Sequence, residues 1–127
     1  MSLLLRIAAV LAVLRALAFA FAKPVVLGRL AVEPLAWAMA NGLAVANLAF
    51  AFVFWRAASN PAGERTALYA SILVTGLRGA TAVYDVLYVL DGHGAVVTLI
   101  DMIANVALFV GMVNSLAGVL RGPEYED

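Results

Sequence analysis

The feature that most constrains this chain is a set of four long, continuous apolar stretches. They cover approximately residues 3–22, 34–55, 67–90 and 95–120. A helix needs about 20 apolar residues to cross the roughly 30 Å of hydrocarbon in a bilayer, and each stretch reaches that length. Only 13% of the 127 residues are charged and 65% are hydrophobic, whereas a soluble domain has about 25% charged residues. We therefore predict an all-α integral membrane protein: one transmembrane domain over residues 1–127, a four-helix bundle with a short polar tail at 121–127.

Clear breaks separate the four stretches. Prolines follow Lys23 and Glu33, the segment 59–63 contains Pro61 and Gly63, and residues 91–94 read Asp-Gly-His-Gly. These residue types favour turns and end helices. The short second and third connections predict antiparallel neighbours in an up-down topology, and the partly apolar loop at 23–33 is expected at the membrane interface.

The first stretch also has a feature of a secretory signal peptide. Ala20-Phe21-Ala22 resembles the small-residue site that signal peptidase cleaves. Arg15, however, interrupts the apolar core that a signal peptide requires. We therefore interpret this stretch as the first transmembrane helix.

The basic residues near the helix ends predict the orientation. Cytoplasmic loops carry an excess of Lys and Arg. One side has four of them and the other has two, namely Arg6, Arg56, Arg65 and Arg121 against Lys23 and Arg29. Both termini are therefore predicted to be cytoplasmic.

Alanines recur every four residues in the first two helices, for example at Ala8, Ala12 and Ala16. Such faces let helix backbones approach closely, which supports packing in lipid. We expect them to pack inside one bundle rather than to form a dedicated dimer motif.

The residue inventory excludes several kinds of site. The chain has no cysteine and one histidine, His93, which we expect to be solvated in its turn. Neither a cysteine-ligated metal nor a haem with two axial imidazoles is then available, so no metal or cofactor is expected. The formal net charge is zero and no basic run is present, so nucleic acid is not an expected partner.

Four charged residues fall inside the predicted spans: Arg15, Arg78, Asp85 and Asp101. Charged side chains in a membrane are costly and need a partner or a function. At 1.5 Å per residue, Arg15, Asn41, Asp85 and Asp101 lie at a similar depth, about 8–10 Å from the non-cytoplasmic helix ends. The sequence therefore predicts one polar residue from each helix at a single level.

Helical spacing places these residues on facing stripes. Arg78, Thr81, Asp85 and Tyr88 share a face of the third helix, and Thr98, Asp101 and Asn105 share a face of the fourth. Because helical side chains lean toward their own N-terminus, we expect Asp85 to pair with Arg78 and Asp101 with Arg15. The candidate ligand or proton site comprises Arg15, Asn41, Arg78, Asp85, Tyr88, Asp101 and Asn105.

Two interpretations of this layer stay open. In one, the charges cancel and the layer fixes helix order and register. In the other, it lines a cavity open to the non-cytoplasmic side, where a carboxylate accepts a proton or a polar ligand head. No catalytic constellation or phosphate-binding loop is present in the sequence, so no catalytic residue and no enzymatic activity are expected.

A pattern of motifs resembles DoxX-like bacterial membrane proteins: four helices, Arg78-Gly79 in the third, an Asp91-Gly92 turn and Asp101 early in the fourth. The resemblance implies a bacterial cytoplasmic (inner) membrane location and an accessory role, with no residue assignments. We predict a non-enzymatic accessory or scaffold subunit of a larger membrane complex, with other membrane subunits or copies of itself as partners. The alternative is a small proton- or ion-coupled transporter, or a binder of an amphipathic ligand.

Overall fold

The computed structural model describes residues 1–89 and 93–121, which are helical almost throughout. A 3₁₀ turn at Gly28–Val32 joins the second and third helices, and a π-helical turn at Asp85–Val89 continues the fourth. No strand occurs in the described residues, and the predicted all-α fold is confirmed. The α-helices are α1 Ser2–Phe21, α2 Lys23–Leu27, α3 Pro34–Ser59, α4 Arg65–Tyr84 and α5 His93–Arg121.

Four of these helices are long and apolar enough to cross a membrane: α1, α3, α4 with its π turn, and α5. This agrees with the four apolar stretches and confirms the membrane-protein prediction at that level. One end of the bundle holds Ser2 and the other holds Lys23; they are called the Ser2 end and the Lys23 end below.

Contacts between α1 and α5 show how the ends of the chain pack. Near the Ser2 end, a Cβ added at Gly111 would lie 3.0 Å from Cδ1 of Leu4. Near the Lys23 end, Arg15 bonds to Asp101. Early residues of α1 therefore meet late residues of α5, and the two helices are antiparallel, as the up-down prediction requires.

Helices α4 and α5 approach closely through glycine. A Cβ at Gly76 would lie 2.8 Å from the Phe109 ring, and one at Gly79 would lie 3.3 Å from Cγ2 of Val106. Small residues allow such an approach where the lipid provides no hydrophobic incentive for association.

The alanine faces lie inside the bundle, as predicted. Ala8, Ala12 and Ala16 of α1 are buried, as are Ala40 and Ala44 of α3. They belong to a single chain's core, which agrees with intramolecular packing.

Helix boundaries differ from the apolar stretches in a physically simple way. Helix α3 continues past Trp55 to Ser59, because Ala57 and Ala58 are still buried against the bundle. It ends at Asn60, whose extended φ of −155° suits a residue that precedes proline. Membrane thickness limits the length of the apolar stretch, whereas packing and Pro61 set the length of the helix.

Part of the predicted third turn and the tail lie outside the described residues, at 90–92 and 122–127. His93, predicted to lie in that turn, is instead the first residue of α5.

The loop at 23–33 is folded and forms α2 and the 3₁₀ turn. Lys23 is 6% exposed, donates a hydrogen bond of 2.7 Å from Nζ to the carbonyl oxygen of Ala20, and lies 5.0 Å from the Trp37 ring centroid. Nε1 of Trp37 donates to the carbonyl oxygen of Ala31. These contacts connect α1, the loop and α3 at the Lys23 end.

Candidate functional site

The predicted pair between Arg15 and Asp101 is formed. Nε of Arg15 donates a hydrogen bond of 2.6 Å to Oδ1 of Asp101, and Nη2 lies 2.5 Å from the same oxygen. The Arg15 side chain is 16% exposed and that of Asp101 is 36% exposed. The ion pair therefore bridges α1 and α5, with its carboxylate partly open to the outer surface of the bundle.

The predicted pair between Arg78 and Asp85 is not formed, and that expectation is wrong. Nη2 of Arg78 instead donates a hydrogen bond of 2.6 Å to Oδ1 of Asn47 on α3. The guanidinium carbon also lies 4.9 Å from the Phe50 ring centroid. Helical side chains generally lean toward their own N-terminus, a direction that for Arg78 is away from Asp85, and the observed contacts of Arg78 are with Asn47 and Phe50 on α3.

Asn47 is the site residue that sequence reasoning missed. It is buried at 3% exposure, and its Nδ2 donates a hydrogen bond of 2.7 Å to the carbonyl oxygen of Leu43. It lies in line with the buried Ala40, Ala44 and Ala51, at helical spacing. That alignment with the small-residue face is a sequence signal that identifies it.

Asn41, which was expected in the layer, lies on the exposed surface of α3. Its predicted depth came from its distance along the helix, which leaves its rotational position undetermined. Six residues separate it from Asn47, about 120° away from a whole number of turns at 3.6 residues per turn. Asn41 therefore faces outward while Asn47 faces the bundle interior.

Asp85 begins the π turn and is partly exposed. No described side chain forms a hydrogen bond or an ion pair with its carboxylate. A π turn bonds i to i+5, so the α-helical spacing that linked Arg78 to Tyr88 does not continue through it. Tyr88 is 75% exposed, and its ring centroid lies 5.2 Å from that of Tyr84.

Asn105 is buried beside the ion pair, at 2% exposure. Its Nδ2 donates a hydrogen bond of 2.7 Å to the backbone carbonyl oxygen of Asp101, one turn earlier in α5. It therefore lies within the polar layer, where it was predicted, but it supports the helix backbone rather than the carboxylate.

Together these side chains form a polar cluster, defined here as Arg15, Asn47, Arg78, Asp101 and Asn105. It draws at least one residue from each long helix: Arg15 from α1, Asn47 from α3, Arg78 from α4, and Asp101 and Asn105 from α5. Of the seven candidate residues, Asn41, Asp85 and Tyr88 lie outside the cluster, and Asn47 is the one member that was not among the candidates.

The cluster contains two guanidinium groups and one carboxylate. Arg78 lies within electrostatic range of both Arg15 and Asp101. Its Nη1 atom is buried and has no hydrogen-bond partner among the described residues. The charge of Arg15 is neutralised by the Asp101 carboxylate. Arg78 contacts the neutral amide of Asn47 and the Phe50 ring instead, so the cluster has an excess positive charge.

The side chains of the cluster form hydrogen bonds and an ion pair. In residues 1–89 and 93–121, no three or more His, Cys, Asp or Glu side chains gather as metal ligands would.

Comparisons with known protein families, with curated proteins and with solved structures found no match to this chain. The resemblance to DoxX-like proteins stays a prediction from sequence.

Proposed function

We propose that this protein is a non-enzymatic accessory or scaffold subunit of a larger membrane assembly. The observation that supports the proposal is the polar surface of the spans. Asn41 on α3 and Asn114 on α5 are exposed, no described residue bonds to their side chains, and Asp101 is 36% exposed. Polar groups facing hydrocarbon are costly because lipid tails cannot hydrogen-bond to them. A neighbouring protein chain that covers these side chains removes that cost.

The polar cluster supports a scaffold role from the inside. Its contacts join α1 to α5 through Arg15, and α3 to α4 through Arg78. Buried polar groups can fix the order and register of helices, and this is the use we assign to them here. A bundle held in one arrangement presents a constant outer surface to its partners.

The location proposed is the bacterial cytoplasmic membrane, with both termini in the cytoplasm. The excess of arginine at the Ser2 end supports the orientation, and the resemblance to DoxX-like proteins supports the bacterial membrane. The partners are other membrane subunits or further copies of the same chain.

The test is purification from the native membrane in a mild detergent, followed by mass determination and mass spectrometry of the co-migrating chains. We expect a complex of fixed stoichiometry. An Asn41→Leu/Asn114→Leu double variant should fold normally but lose the complex, and Leu73→Val, on an exposed apolar face of α4, should retain it. A lone monomer that behaves identically in all three proteins would contradict the proposal.

A small transporter or ligand binder is the second candidate. It is favoured by Asp85, which has no described partner, and by the partial exposure of Asp101. Its test is proton flux into vesicles that contain the purified chain and a pH-sensitive dye. Flux that disappears in Asp85→Asn or Asp101→Asn would favour the transporter, whereas flux equal to that of empty vesicles would exclude it.

A further inference from the structure

A groove runs along the outer surface between α1 and α3, in the half of the bundle nearer the Ser2 end. Its volume is about 310 Å³. Ala9 and Ala51 are buried and form its floor, and the exposed side chains beside them form its walls. The lining is apolar and consists of Ala9, Val10, Val13, Leu14, Ala51 and Trp55.

A second hollow of about 240 Å³ adjoins it, lined by Arg6, Ile7, Val10 and Leu11. The two hollows share Val10, and the second is lined by α1 alone. Together they are called the α1–α3 cleft here, and they follow α1 from Arg6 to Leu14. Eight residues of helix correspond to about 12 Å. The cleft is therefore elongated, with the side chain of Arg6 at one end and the apolar groove between α1 and α3 at the other.

The cleft runs along α1, one of the four helices long and apolar enough to cross a membrane, so in a bilayer crossed by α1 it would run parallel to lipid acyl chains. Arg6 is four residues from the start of α1, and Trp55 is four residues from the end of α3. Both are near the same membrane surface, where arginine and tryptophan interact with head groups. The apolar part of the cleft extends from that level into the hydrocarbon.

The charge of Arg6, at one end of the cleft, determines which kind of ligand is favoured. Arg6 is exposed, and no described residue pairs with its guanidinium. The neighbouring Arg56 is already bound to Glu64, at 2.7 Å. Arg6 is thus the basic group beside the cleft that is open to a ligand, and it favours a head group with net negative charge.

We propose that the α1–α3 cleft is a binding site for an anionic phospholipid. One acyl chain lies in the groove over Ala9 and Ala51, and the phosphate lies against Arg6. The inference is independent of the assembly role proposed above, because it concerns a lipid and because none of Asn41, Asp101 and Asn114 lines the cleft.

The experiment measures lipid retention by the full-length purified protein. The protein is equilibrated in detergent with equal amounts of phosphatidylglycerol and phosphatidylcholine, and bound lipid is counted by native mass spectrometry. We expect phosphatidylglycerol to be retained about fivefold more than phosphatidylcholine, the ratio that corresponds to one arginine near a membrane surface.

Charge variants test the head-group contact. Arg6→Gln should reduce the ratio to about one, and Arg6→Lys should preserve most of it. Arg65→Gln is the matched control, because it removes a charge at the same end of the bundle from α4 rather than from the cleft. Equal retention of the two lipids by the unaltered protein, or equal effects of Arg6→Gln and Arg65→Gln, would overturn the proposal in favour of nonspecific surface attraction.

Filling variants test the acyl-chain position. Val13→Phe places a larger side chain on the groove wall and should lower retention of both lipids, as should Leu14→Trp if Val13→Phe does not fold. Leu73→Phe, at a 61% exposed position on α4, should change neither. Unaltered retention in a folded filling variant would show that the lipid is not in the groove.

Discussion

Two arginines inside the bundle are accommodated in opposite ways. Arg15 meets a carboxylate across the α1–α5 seam, and that carboxylate is 36% exposed. Arg78 meets a neutral amide and an aromatic ring across the α3–α4 seam, with Nη1 buried and no partner for it among the described residues. The ion pair thus lies between α1 and α5, where the carboxylate is partly exposed. The arginine without a carboxylate partner lies between α3 and α4, where its Nη1 atom is buried.

The difference shows how each seam depends on its charges. Removing one member of an ion pair strands the other charge, which is the expensive outcome. Removing a charge that has only a neutral partner strands an amide, which is much cheaper. The α1–α5 seam should therefore respond strongly to loss of its acid, and the α3–α4 seam weakly to loss of its base.

The largest effect is expected for Asp101→Ala. We expect the free energy of unfolding to fall by about 2 kcal/mol, below the roughly 3–5 kcal/mol for fully buried pairs because this carboxylate is partly exposed. The matched control is Asp85→Ala, which removes a carboxylate that has no described partner and should cost under about 0.5 kcal/mol. Denaturant titration in mixed detergent micelles measures both, and equal losses would refute the proposed dependence.

An intermediate effect is expected for Asn47→Leu, about 1 kcal/mol, within the range measured for interhelical hydrogen bonds in membranes. Asn41→Leu makes the same change on the exposed side of the same helix and should leave the stability of the isolated chain within about 0.5 kcal/mol. The same titration compares the two variants. A larger loss of stability for Asn41→Leu than for Asn47→Leu would show that Asn41, rather than Asn47, belongs to the polar cluster.

The smallest effect is expected for Arg78→Met, a change of at most about 0.5 kcal/mol in either direction, because the removed charge and the lost hydrogen bond offset one another. The variant should also rescue Asn47→Leu, since the leucine then faces an apolar side chain. If Arg78→Met costs as much as Asp101→Ala, Arg78 has a counter-charge outside the contacts described above.

The sequence predicts the architecture well because lipid imposes a simple rule. A helix that crosses hydrocarbon needs a continuous apolar stretch, and the four stretches correspond to the four long helices with boundary shifts of a few residues. The pair between Arg15 and Asp101 was also predictable, because depth and side-chain lean agree for both residues.

The rest of the cluster depends on information that depth does not contain. Asn41 and Asn47 differ in rotational position, which only the packing of α3 settles, although the alanine face points to Asn47. The π turn at Asp85 has no clear signal in the sequence, and it ends the regular spacing that had linked Arg78 to Tyr88. The pairing of Arg78 with an amide rather than a carboxylate likewise depends on tertiary contacts with α3.

Coverage of the polar outer surface by other protein chains can be tested in the native membrane. A photoreactive phenylalanine analogue at Val97, exposed one turn from Asp101, should crosslink to a second polypeptide of defined mass. The same analogue at Leu73, on an exposed apolar face of α4, should crosslink to lipid alone. Lipid adducts alone from both positions would contradict the account and leave the exposed carboxylate to be explained by transport or ligand binding.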